Sequence, residues 1–210
     1  MTRPVTGAAP GSTNAPPVED GRRARRERNR LAVVDAMLAL YAQGNLDPSS
    51  DEIAERAGLS PRSLFRYFDD LDDLVRVAIS RQYDRMLPLA RLDVSADGPL
   101  AGRVARLVRQ RLALFDSIAS VGVVTRVRAP FQPLIASQLA ITRSYLRHQI
   151  EQIFRPELAA RGKAGAVSAI AAIDVLTSFE SVHLMLDDQG LTRARIETAL
   201  VDAISHLLET

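Results

Sequence analysis

The sequence predicts an all-α protein, for three reasons. Apolar residues recur at helical spacing through most of the chain, and no stretch shows strand-like alternation. Capping and breaking residues bracket those periodic stretches. Aromatics are only 5% of the residues and Trp is missing, so the core must be built from Ala, Leu, Val and Ile, which favours helix packing.

The elements follow in order. Residues 1–20 are rich in Pro, Gly, Ala, Ser and Thr, and predict a disordered tail. A first helix is expected from about Arg23 to Ala42, where Leu31, Val34, Leu38 and Tyr41 form one apolar stripe. Gly44-Asn45 ends it, and Pro48 prevents its continuation. Ser49 followed by Glu52 is a capping box that starts a second helix, with Ile53, Ala54 and Ala57 inward. Gly58 supplies the positive φ of a sharp turn. Ser60 caps a third helix, with Pro61 at its first position, where a missing N–H costs nothing. Leu64 and Phe68 would pack inward, leaving Arg62, Ser63, Arg66 and Tyr67 outward. A fourth helix starts at Asp70 or Asp72 and runs to about Leu92.

After the break at Ala96–Pro99, a helix is expected over about 100–119, then a short segment around 121–127. Pro133 to Phe154 reads as a long helix. Ala164 to Leu186 is apolar on nearly all sides, which indicates burial on more than one face. Residues 187–190 form a turn, and Thr192 caps a last helix over 193–208. The implied organisation is a tail over 1–20, a helix-turn-helix domain over 21–70 and a helical body over 71–210.

Composition narrows the function. With no Cys, a disulfide framework, a thiol nucleophile and a Cys-ligated metal are excluded, which fits a reducing cytoplasm. The N-terminal residues lack the apolar core of a signal peptide, and no run of about 18 apolar residues suggests a membrane span. His148, His183 and His206 have no zinc-ligand spacing, and the Asp69, Asp70, Asp72, Asp73 cluster reads as negative charge at a helix start, so no metal or cofactor is expected. Motifs for nucleophilic, zinc-peptidase or nucleotide chemistry are missing, so the chain reads as a non-enzyme. Of the 27 basic residues all but Lys163 are Arg, and residues 22–30 carry a net +5 in a chain of net +2. That block marks an anionic partner at the N-terminal end. Double-stranded DNA is the expected partner: Arg62 or Arg66 can fork onto guanine, and Ser63 can reach a base or a phosphate. Tyr67 and Ser49 would hold phosphate, Ser60 is a further DNA-binding candidate, and Arg25, Arg26 and Arg28 are candidates for the minor groove.

The run from Asp51 to Phe68, DEIAERAGLSPRSLFRYF, resembles the helix-turn-helix of the tetracycline-repressor (TetR) family of bacterial transcriptional regulators. The resemblance covers roughly residues 25–75. It implies about nine helices, an N-terminal DNA-binding domain, a ligand pocket in the body and a homodimer whose last two long helices pair as a four-helix bundle. The sequence departs from the family pattern where Phe65 replaces a phosphate-touching Tyr, Leu71 replaces a Lys, and Ser50 occupies an apolar position. The expected protein is therefore a repressor that binds a palindromic operator and is released by a small hydrophobic effector. Phe115, Phe131, Tyr145, Phe179 and Met185 are candidate pocket residues, with Arg109, His148 or His183 as polar anchors. Val201, Ile204 and Leu208 are candidates for the dimer interface. Two other readings are a DNA-binding protein with no effector, and an interaction module or enzyme with a vestigial helix-turn-helix.

Overall fold

A computed structural model describes residues 18–209, which fold as ten α-helices with no strand among them. Helix α1 (Val18–Ala42) starts earlier than the apolar pattern indicates, so residues 18–20 of the expected tail are helical; the rest of that tail lies outside the described residues. α2 (Ser50–Arg56) opens on the complete capping box: the Ser49 amide and hydroxyl both donate to the Glu52 carboxylate at 2.8 and 2.7 Å. Gly58 turns the chain at φ +68. α3 (Pro61–Leu64) is a single turn, shorter than expected, because the Arg66 and Tyr67 amides bond back three residues, to Ser63 and Leu64. α4 (Leu71–Ala90) is capped by Asp70, which accepts from the Asp73 amide at 2.7 Å.

α5 (Leu100–Arg128) absorbs both the expected helix and the short segment after it, since nothing breaks the helix before Pro130. α6 (Pro133–Ile153) is followed by a short α7 (Arg155–Ala160). The expected helix over 164–186 is split. α8 (Gly162–Leu176) ends where the Thr177 hydroxyl donates to the Ile173 carbonyl at 2.7 Å, and Ser178 caps a new helix by accepting from the Ser181 amide at 3.1 Å. This α9 (Phe179–His183) widens into one π-helical turn over 184–188, and α10 (Arg193–Glu209) closes the chain. No single described helix is long and apolar enough to cross a membrane; α8 with the segment after it passes only as a pair bent by 44°, and Ala169, Ile173, Phe179 and Val182 of that pair pack in the body core.

Two apolar cores result, and α4 belongs to both. Its first half (Leu74, Val75, Ala78) packs with α1, Ile53, Leu64 and Phe68 in a head core, while Met86 and Ala90 lie in the body core. The head core also takes in Val124 of α5 and Ile135 of α6, so head and body share apolar surface beyond the connecting helix. Polar ties follow the same seams. Asp35 of α1 accepts a two-pronged hydrogen bond from Arg81 of α4 at 2.8 and 2.9 Å, and a third from Arg85 at 2.7 Å. Arg128 of α5 donates to the Leu46 carbonyl and pairs with Asp47.

The far end of α4 is held differently. Gln110 donates to the Leu89 carbonyl at 2.7 Å, and Gln149 donates to the Ala90 carbonyl at 2.9 Å. Between them lies Arg111, fully buried, donating to the Gln149 side chain and the Leu146 carbonyl at 2.9 Å each. Burial pushes its guanidinium down to about 10, so the buried group is still a cation at neutral pH, solvated by neutral oxygens. Each such charged hydrogen bond is worth about 1.5–3 kcal/mol against leaving it unmade.

Candidate nucleic-acid interface and effector cleft

The head leaves the sequence-predicted basic residues exposed. Arg25, Arg26 and Arg28 are exposed along α1, and Arg62 and Arg66 are exposed on and just after α3. Neither these nor Arg22 and Arg23 pair with a carboxylate among the residues whose side chains are described, whereas most arginines of α4 to α6 do: Arg76, Arg81, Arg85, Arg103, Arg126, Arg128, Arg143 and Arg147 each have one. The arginine bias is thus spent in two ways, as internal ion pairs in the body and as unneutralised charge on the head.

Three of the expected contacts also make bonds within the head. Tyr67 does not face outward: its ring is 9% exposed and packs in the head core. The helix tightens after Leu64, so residue 67 is rotated inward relative to a continuous α-helix. Only its hydroxyl reaches the surface, where it accepts from Asn29 at 2.8 Å and Arg66 at 3.1 Å. Those donors, Asn29 first, hold the phenol below its ordinary range. The result is a bridge from α1 to the recognition segment, and Asn29, which the sequence reading missed, is its other half. Ser49 caps α2 and bonds to Glu52, whose carboxylate places negative charge beside it. Ser60 caps α3 and its hydroxyl lies 2.9 Å from that of the half-buried Ser63. Phe65 and Leu71 are exposed apolar residues at 49% and 38%. The acidic residues at 70, 72 and 73 serve the start of α4, and Asp73 also pairs with Arg76 at 2.8 Å.

The body contains a cleft between α4, α5 and α6, with about 80 Å³ of space. Ile79, Tyr83, Met86, Ile118, Val121 and Leu139 give it apolar walls; Gln82, Gln138, Thr125, Thr142 and Arg126 supply polar groups. Ile79, Val121 and Thr125 also line a smaller gap of about 20 Å³ beneath Leu38, Tyr41 and Val75 of the head. The wall between the cleft and the head is therefore a single layer of side chains.

None of the aromatic and histidine residues expected to line a pocket lines this cleft. Phe115 and Phe179 meet edge to face in the body core, with ring centres 5.7 Å apart. Phe131 is 83% exposed at the α5–α6 turn. Tyr145 and His148 are exposed on α6, and His148 bonds within its own helix to Gln152 at 2.8 Å. His183 stacks on Phe179 and pairs with Asp187, Met185 packs against the core, and Arg109 is exposed. Phe179 does shape the cleft from behind: its ring fills the space beside Gly122, and the Arg126 guanidinium lies over it at 3.9 Å.

The expected interface residues also need correction. Ile204 is fully buried and Leu208 is 6% exposed, both inside the body core, and Val201 packs against that core. The outward side of α10 is instead a shallow groove of Ala194, Thr198, Ala199 and Asp202, and α8 exposes Val167 and Val175 at 63% and 64%.

Comparison with known proteins agrees with this layout. Residues 33–78 match the family model of bacterial regulatory proteins of the tetR family. No curated protein matches the chain. A tetR-family transcriptional regulator from Streptomyces coelicolor is 24% identical, with TM-score 0.66 over 85% of this chain and 81% of its own. A transcriptional regulator from Rhodococcus sp. Rha1 is 20% identical, with TM-score 0.61 over 88% and 96%. A TetR transcription regulator from Haloarcula marismortui is 15% identical, with TM-score 0.60 over 87% and 97%. Residues 33–78 are thus a helix-turn-helix domain of the tetR family, and the chain as a whole takes the fold of solved tetR-family transcriptional regulators.

Proposed function

We propose that this protein is a cytoplasmic, non-catalytic repressor that binds a palindromic operator as a homodimer and is released by a small molecule held between α4, α5 and α6. The supporting observation is the division of the arginines. Arg25, Arg26, Arg28, Arg62 and Arg66 stand exposed and, among the residues whose side chains are described, without carboxylate partners, while the body neutralises most of its own. Unpaired guanidinium groups are free to neutralise phosphates and to fork onto guanine. Arg62 and Arg66 read bases in this proposal, and Arg25, Arg26 and Arg28 follow the backbone or the minor groove. The Tyr67 hydroxyl holds Asn29 and Arg66 in register.

The effector half of the proposal rests on the position of the cleft. Ile79 of α4 faces both the cleft and the gap beneath the head, so a ligand against it would shift the helix that carries the recognition segment. By linkage, DNA would weaken effector binding by the same factor as the effector weakens DNA binding. The dimer would form through the outer faces of α8 and α10. The small side chains of the α10 groove permit close helix approach there, and Val167 and Val175 of α8 offer apolar area.

The test is selection of binding sites from random duplex DNA by the full chain at about physiological salt, where non-specific binding is suppressed. A two-fold-symmetric site, lost on Arg66→Ala, is the expected result. A folded, dimeric protein that enriches no site would refute the proposal.

A further inference from the structure

The α4–α5–α6 cleft has a charged mouth. A second cleft, with about 380 Å³ of space and open to solvent, is lined by Arg126, Arg143, Glu180, Ala136 and Leu139. Arg126 and Leu139 line both clefts, so the two adjoin. At the junction two guanidiniums share one carboxylate: Arg126 Nε lies 2.9 Å from Glu180 Oε1, and Arg143 pairs with the same oxygen. The junction therefore carries a net single positive charge. Burial would raise the Glu180 carboxyl, but Arg126 brings it below its ordinary range, so it stays ionised and the count holds near neutral pH.

The groups further in are poor cation binders and good hosts for an apolar body. The Thr125 and Thr142 hydroxyls donate to their own helices, to Val121 at 2.7 Å and Gln138 at 3.0 Å. Among the described residues no partner holds the side-chain amides of Gln82 and Gln138, and no carboxylate lines the inner cleft. Arg126 is half-buried, lies flat on Phe179, and donates to the Gly122 carbonyl at 3.1 Å, so its position is fixed before any ligand arrives. A pre-positioned guanidinium at the mouth of an apolar cleft suits a carboxylate head with a short hydrocarbon body.

Resting on the reading of this cleft as an effector site, we infer that the effector is an amphipathic monocarboxylate, its head between Arg126 and Arg143 and its apolar part against Ile79, Met86 and Ile118. The incoming carboxylate competes with Glu180 for the two arginines. That competition gives the inference a signature in each direction. Removing Arg126 weakens carboxylate binding, and neutralising Glu180 strengthens it.

The experiment is calorimetric titration of the full-length protein with two matched pairs, octanoate against octan-1-ol and 4-phenylbutyrate against 4-phenylbutanamide. Each compound is also tested for release of selected DNA. The expected result is that at least one carboxylate binds about tenfold or more tightly than its neutral partner and releases DNA. Arg126→Met removes that preference, and Glu180→Gln tightens the carboxylate severalfold, a gain that a misfolded variant cannot imitate. Equal binding within both pairs, or a preference that survives Arg126→Met, overturns the head-group assignment. If the neutral members alone bind and release DNA, the assignment falls and the effector cleft stands. If no compound binds, the monocarboxylate assignment falls. The cleft reading falls with it only if Ile79→Trp, which fills the cleft, also leaves DNA affinity unchanged.

Discussion

Gly122 lies in the middle of α5, where alanine is ordinarily better by about 1 kcal/mol. Here the sign should reverse. A Cβ at residue 122 would stand 2.5 and 2.7 Å from the Cε2 and Cζ atoms of Phe179, and 3.2 Å from Cδ2. Carbon atoms settle at about 3.5–4.0 Å, so the ring must retreat by about 1 Å. It has little room to do so, with Phe115 edge-on at 5.7 Å, the Arg126 guanidinium at 3.9 Å and His183 stacked at 5.7 Å. Overpacking of this kind costs about 1–3 kcal/mol. Set against the gain in helix propensity, Gly122→Ala should destabilise by about 1 kcal/mol, or lower the melting temperature by about 2–4 °C for a chain of this size. Phe179→Leu deletes the two nearest ring atoms. In that background Gly122→Ala should become neutral or stabilising, giving a coupling of about 1 kcal/mol or more. Urea unfolding of the four proteins followed by circular dichroism, at one fixed protein concentration, measures the cycle. If Gly122→Ala stabilises the chain that retains Phe179, or acts equally in both backgrounds, the close-approach reasoning is refuted.

Three further outcomes are expected. Arg25→Ala should weaken DNA binding about equally for all sequences and reduce the slope of log affinity against log salt by about one, whereas Arg66→Ala should flatten the preference at one base position; fluorescence anisotropy at several salt concentrations separates the two. Ala199→Glu on the outer face of α10 should shift the protein from dimer to folded monomer in sedimentation, while Ile204→Ala, inside the core, should instead cost about 2–5 kcal/mol of stability. The carboxyl of Asp35 is held below the ordinary carboxylate range by the Arg81 hydrogen bonds, so its contribution is present above about pH 4 and lost as pH falls through the lower folded value. Asp35→Asn should therefore cost about 1 kcal/mol at pH 7, given the partial exposure of the pair, and the gap to wild type should close below about pH 4 in acid unfolding curves.

Local chemistry was legible in the sequence and packing was not. The capping box at Ser49 and Glu52, the Gly58 turn and the Ser60–Pro61 start each depend on a few neighbouring residues, and each stands as read. Tyr67 was misplaced because the outward face was extrapolated along a helix that tightens after Leu64. The split at Thr177–Ser178 was signalled by a Ser cap, but the continuous apolar run around it hid the signal. The apolar stripe through Ile204 and Leu208 reads the same whether it faces its own core or a second copy; only the packing of α10 against α5 and α8 decides. The cleft was out of reach for a related reason. Its lining comes from three helices, at positions where Ile, Met, Gln and Thr look ordinary, while of the aromatic residues that look like a pocket Phe115 and Phe179 fill the core and Phe131 and Tyr145 are exposed.

The grip of Gln110 and Gln149 on the last carbonyls of α4 gives that helix a fixed end. At a rise of 1.5 Å per residue, Tyr83 in the cleft lies about 10 Å from Ala90, and Leu71 about 28 Å from it. If the part of α4 ahead of Pro88 swings about this end as one rod, displacement is multiplied by the ratio of those arms. A sideways push of about 1 Å at Tyr83 would then become about 3 Å where the recognition segment is attached. Arg81 and Arg85, which bind Asp35 of α1, tie the head to α4, while Arg128 ties it to α5. Under the proposed function, polar side chains that do not line the cleft would thus set how far the head moves.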